Sequence, residues 1–68
     1  LIISDDGSRI EWMVAAIVSG LSAYYRVLRP DKSIEAEEHS RPVLSRDEAL
    51  AWLRRAARAR GFDARGIK

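Results

Sequence analysis

Between Ile10 and Leu28 the apolar side chains recur at helical spacing. Projected at 100° per residue, Ile10, Met13, Val14, Ile17, Leu21, Tyr24 and Leu28 gather on one side, and Glu11, Ser19, Ser22, Arg26 and Arg29 gather on the other. This pattern predicts a long amphipathic helix over about 9–29. Ser8-Arg9-Ile10-Glu11 reads as its capping box, in which the Ser8 hydroxyl accepts from the Glu11 amide. Pro30 ends it, because proline lacks an amide hydrogen and disfavours helical geometry at the residue before it. Gly20 costs such a helix about 1 kcal/mol relative to alanine, and with Ala16, Ser19 and Ala23 it makes a small-residue patch that another backbone can approach.

The same stretch also alternates at period two. Ile10, Trp12, Val14, Ala16 and Val18 share one face of an extended chain, Ser19-Gly20 can turn a hairpin, and the run from Ala23 to Val27 is rich in strand formers. A tight turn at Pro30-Asp31-Lys32-Ser33 then sets Arg26 opposite Glu37 and Val27 opposite Ala36, with Ile34 to His39 as a third strand. In the helical version residues 31–44 are instead a polar connector, long for a compact domain.

A second helix is predicted over about 46–60. Ser45-Arg46-Asp47-Glu48 is a capping box, Leu44 is placed to staple onto Ala49, and Gly61 stops the helix. Ala49, Leu50, Leu53, Ala56 and Ala57 make its apolar face with Trp52 at the edge, while Arg54, Arg55 and Arg58 lie opposite. Phe62 is expected to fold back onto Leu53 or Ala57, and residues 61–68 to form a frayed tail. Residues 1–8 read as an N-terminal arm and turn. The favoured fold is thus a single small domain over 1–68, mainly α, with a long helix, a polar connector and a basic helix; the alternative is α+β, a three-stranded antiparallel meander plus a C-terminal helix.

Size sharpens what the helical version requires. A chain of 68 residues buries only about 60% of the surface its unfolded form exposes. Two helices cannot enclose the stripe from Ile10 to Leu28 together with Trp12 and Trp52. The mainly α reading therefore expects a homodimer, or docking on a larger protein, with Ile10, Met13, Val14, Ile17, Leu21, Tyr24 and Leu28 as the interface. The uncharged run from Trp12 to Tyr25 is 14 residues, short of the roughly 18–20 that span a bilayer, so a membrane partner is not expected.

Charge is uneven along the chain. Residues 1–44 carry five basic and seven acidic side chains, whereas residues 45–68 carry seven basic and three acidic. No acidic residue lies three or four positions from Arg54, Arg55 or Arg58. With Arg60, Arg65 and Lys68 nearby, that face suits phosphates or an acidic protein surface.

Catalytic chemistry has little to build on. Cysteine is absent, which excludes disulfides, thiolate metal ligands and a thiol nucleophile. His39 stands near Glu35, Glu37 and Glu38, but at none of the usual metal-ligand spacings. No nucleophile-elbow context surrounds any serine. No cofactor, metal or enzymatic activity is expected, and the expected setting is the cytoplasm.

The run "IEWMVAAIVSG" resembles the start of pilin helices, which set a glutamate before a long apolar run; it covers eleven residues, lacks the long run and carries no pilin function over. In the strand version, a meander followed by "PVLSRDEALAWL" is similar to the three-strand-plus-helix DNA-binding arms of phage-type integrases. That resemblance implies the sheet as a nucleic-acid surface with Arg9, Arg26, Arg29 and Arg41 as contacts; the acidic third strand departs from the usual pattern. The expected function is a small non-enzymatic protein-interaction or regulatory module, oligomerising through the first helix and offering a basic second helix to an anionic partner. The alternative is a nucleic-acid-binding α+β domain.

Overall fold

In the computed structural model the residues from Arg9 to Leu28 form a hairpin, not a helix. Residues 2–4 and 6–68 are described; Leu1 and Asp5, part of the expected N-terminal arm and turn, lie outside the described residues. The elements are β1 (Ile2–Ile3), β2 (Arg9–Ile17), β3 (Gly20–Leu28), β4 (Ile34–His39), α1 (Arg46–Ala59) and a 3-10 turn at Ala64–Gly66. The strands form one antiparallel sheet in the order β1-β2-β3-β4. The mainly α reading is thereby overturned in favour of α+β, and "helical" describes only α1.

Period two prevails over period 3.6 because it matches large apolar partners across strands. Ile10 pairs with Val27, Trp12 with Tyr25 and Val14 with Ala23, so these six side chains meet α1 on one face. The helical stripe is dealt between the two faces instead. Ile10 and Val14 join the domain's own core, Leu21 is partly buried, Leu28 is buried, and Met13, Ile17 and Tyr24 share the opposite face.

The hairpin turns at Val18 and Ser19, one residue earlier than the Ser19-Gly20 reading. Gly20 opens β3 at φ 137°, and a Cβ there would sit 2.5 Å from the Val43 carbonyl oxygen. This closeness lets Leu21 and Val43 exchange two backbone hydrogen bonds, at 2.9 and 2.8 Å. The next turn follows the expected register, with Arg26 opposite Glu37 and Val27 opposite Ala36. Asp31 organises it by accepting from the Ser33 amide at 2.9 Å and the Ser33 hydroxyl at 2.6 Å. Residues 34–39 of the expected polar connector are therefore β4.

α1 starts where the capping box places it, with the Ser45 hydroxyl accepting from the Glu48 amide at 3.1 Å. Its partner staple does not form, since Leu44 is 87% exposed. Ala49, Leu50, Leu53 and Ala57 face the sheet. Gly61 at φ 83° lets the chain reverse, and the Phe62 amide donates to the Ala57 carbonyl at 2.9 Å. The following residues do not fray. Asp63 caps the 3-10 turn by accepting from the Arg65 amide at 3.0 Å, and Ala64 and Ile67 are buried in the core.

Candidate functional site

Two of the sheet's basic residues, Arg26 and Arg29, are answered by neighbours. Arg26 donates to Glu11 at 2.6 Å and lies in register with Glu37, so a charged row of Glu, Arg and Glu crosses three strands on the face away from α1. The Glu11 hydrogen bond, then its charge, raises the Arg26 pKa. Arg29 donates to the Ser33 hydroxyl at 3.3 Å and the Ile34 carbonyl at 3.2 Å, with Glu35 4.0 Å away. Arg9 is partly buried in β2 opposite Leu28. Arg41 lines a separate cleft of about 330 Å³ with Glu38, His39, Ser40, Val43 and Trp52.

Beside that charged row the face turns apolar. Met13, Ala15, Ile17, Ser22, Tyr24 and His39 line a cleft of about 300 Å³. The ring of His39 packs on Tyr24 with centroids 4.6 Å apart, and Tyr24 donates to Glu37 at 2.7 Å, which raises its pKa. The cleft lies over β2 and β3, and β4 reaches it only through His39, at the end of its pairing with Tyr24.

The C-terminal side of α1 is different. Arg54, Arg58, Asp63, Ala64, Arg65, Ile67 and Lys68 line a cleft of about 470 Å³ between the helix and the segment that follows it. The turn after Gly61 brings that segment back along the helix, burial of Ile67 anchors it, and two arginines strap it down. Arg54 donates through Nε to the Ile67 carbonyl at 2.9 Å, and Arg46 donates to the Lys68 main-chain oxygen at 3.3 Å. The remaining guanidinium nitrogens of Arg54, together with Arg58 and Lys68, have no carboxylate partner among the described residues. Asp63, the acid of the cleft, is held by Arg65 at 2.7 Å. The Arg65 side chain, then its amide, lowers the Asp63 pKa to about 2.

Of the three arginines singled out in the sequence, Arg54 and Arg58 thus meet in one cleft, and Arg55 is exposed outside it. Arg60 lies elsewhere. It donates to the Tyr25 hydroxyl at 3.3 Å and stacks 5.7 Å from that ring's centroid. What the sequence reading missed is the folded tail that makes a cleft from a helix face. Asp63 ahead of a short turn and the lone apolar Ile67 were its signals.

No group of three or more His, Asp or Glu side chains is placed to hold a metal among the described residues. No helix among them is long and apolar enough to cross a membrane. The fold is defined as a four-stranded antiparallel sheet with one covering helix. Comparison with family models, curated proteins and solved structures returned no match.

Proposed function

We propose that the chain is a non-enzymatic nucleic-acid-binding α+β domain that meets its partner with the C-terminal side of α1 and the folded segment behind it. The observation that carries this reading is the cleft lined by Arg54, Arg58 and Lys68, cations without carboxylate partners among the described residues. Exposed Arg55 extends the same positive surface beyond it. Phosphate contacts made by arginine are charge-assisted and often bidentate, and they supply most of the affinity of sequence-independent binding. The contact surface differs from the sheet surface that the integrase-arm resemblance implies, because Arg26 and Arg29 are engaged by Glu11, Ser33 and Ile34 and β4 brings Glu35, Glu37 and Glu38. A nucleic-acid ligand fits the cytoplasmic setting expected of the chain.

Fluorescence anisotropy with a labelled oligonucleotide across a salt series tests it. Binding should weaken steeply with salt, and Arg55→Gln with Arg58→Gln should reduce both affinity and salt slope, the slope by about one for each phosphate no longer neutralised. Arg26→Gln with Arg29→Gln should leave both unchanged. The opposite ranking would move the interface to the sheet, and no binding at low salt would reject the reading.

A further inference from the structure

We infer that the cleft between α1 and the C-terminal segment takes a phosphomonoester, the doubly charged phosphate at the end of a nucleic-acid strand, in preference to the singly charged diesters along it. This rests on the proposed nucleic-acid binding and names what that site selects. The first argument is shape. The cationic groups line an open cleft of about 470 Å³, bounded by α1 on one side and by residues 63–68 on the other. Its volume is enough for a terminal phosphate and its sugar to settle between the two elements, closer to the cations than the backbone of a strand passing over the opening.

The second argument is charge. Arg54 and Arg58 are one helical turn apart, with Cβ atoms about 5–6 Å from each other, close enough for two guanidinium groups to hold oxygens of the same phosphate. Lys68 adds a third side-chain cation, and Asp63, the one acidic side chain among the described residues that line the cleft, is occupied by Arg65. A diester offers one negative charge to this set and a monoester offers nearly two at neutral pH, because its second pKa is about 6. Favourable placement of a cation near the negative end of a helix explains Arg58 alone. It does not explain Arg54, a full turn earlier, or Lys68 beyond the helix.

Arg54 is held for this role. Its Nε is fixed on the Ile67 carbonyl at 2.9 Å, so the guanidinium that lines the cleft belongs to a side chain whose freedom is already restricted. A ligand that binds there therefore loses less entropy on fixing the guanidinium than it would on fixing a free surface arginine.

The test compares one labelled single-stranded oligonucleotide carrying a 5′-phosphate, a 3′-phosphate or neither, with the label at the opposite end or internal. At pH 7.5 a phosphorylated end should bind about tenfold tighter than hydroxyl ends, the value of one charge-assisted contact. Inorganic phosphate should compete for that advantage, which distinguishes recognition of the phosphate alone from recognition of phosphate plus strand. Arg58→Gln and Lys68→Gln, both at exposed positions, should remove most of the preference while hydroxyl-ended strands lose less.

The preference should also shrink between pH 7.5 and 5.5, as the phosphate takes up its second proton. The groups facing it are Arg54, Arg58, Asp63, Arg65 and Lys68; guanidinium groups stay charged over this range, and Asp63, at about 2, stays ionised. Equal, salt-dependent binding of all three strands would overturn the inference and leave the proposed function standing. Failure of every strand to bind at low salt would overturn both.

Discussion

On the face of the β2 and β3 hairpin that meets α1, Ile10, Ala23, Tyr25 and Val27 are each at most 1% exposed; on the other face Met13 is 52% and Ile17 is 42% exposed. The two faces draw on neighbouring residues of the same strands and differ by one step of alternation. On the inner face large apolar groups stack in register beneath Leu53 and Ala57. On the outer face a row of Glu11, Arg26 and Glu37 precedes the apolar cleft at Met13 and Tyr24. The stability of the domain is thus concentrated on one side of a single sheet, and the other side is free to vary without unfolding it.

Truncating the inner layer should have the largest effect. Leu53 is 0% exposed against the hairpin, and Leu53→Ala should cost about 2–5 kcal/mol through reduced burial and the cavity left behind. For a domain this small that is a large share of the whole stability. Urea unfolding followed by circular dichroism should show the midpoint falling sharply, or the native baseline disappearing. A cost below about 1 kcal/mol, far under the usual range for such a truncation, would mean that α1 is not what covers the sheet.

Gly20 ranks next. Gly20→Ala puts a Cβ against the Val43 carbonyl oxygen and forces a non-glycine residue to φ 137°, at about 1–3 kcal/mol. Because Leu21 and Val43 exchange hydrogen bonds beside it, their amides should lose hydrogen-exchange protection more than that of Tyr25 at the middle of the strand.

Tyr25 links the inner face to charge. Its hydroxyl donates to Glu38 at 2.5 Å and accepts from Arg60 at 3.3 Å, and its ring lies 5.6 Å from that of Trp52. Burial, then the bond to Glu38, raises its pKa above the ordinary 10.0. The folded state therefore holds this proton more tightly than the unfolded state. The stability it confers is complete below about pH 10 and is lost as pH rises through the higher folded value. Tyr25→Phe should cost about 1 kcal/mol at neutral pH and flatten the alkaline loss of stability, with a remnant from Tyr24, whose pKa Glu37 raises as well.

The same alternation explains how much of the structure was legible in the sequence. α1 was legible to within a residue at its end, because Ser45, Glu48 and Gly61 are local signals that need no tertiary partner. The hairpin was read as a helix and the structure overturns that reading, because Ile10 and Val14 satisfy both periods, Met13, Ile17 and Tyr24 complete a helical stripe, and Gly20 breaks a helix and begins a strand equally well. The deciding contacts, Trp12 with Tyr25 and both with the helix that follows β4, are long-range, and local pattern is blind to them. At the candidate site the arginines were visible as residue types. Their gathering into a cleft depends on Ile67 and Asp63, whose packing no periodicity announces.

The smallest effect belongs to the outer face. Met13→Ser with Ile17→Thr removes its most apolar exposed side chains without touching Ile10, Tyr25 or Leu53. Surface substitutions of this kind stay within about 0.5 kcal/mol, and strand propensity changes little with threonine at position 17. The double variant should unfold at nearly the parent urea concentration, and it should bind an oligonucleotide as the parent does, since the cationic cleft lies on the helix side of the sheet. A loss of several kcal/mol would show that the outer face is covered in solution, and a concentration-dependent unfolding midpoint in the parent would then identify a second copy of the chain as the cover. The comparison of the two faces is sharpest here, because equal costs at Met13 and at Leu53 cannot both follow from a sheet packed on one side only.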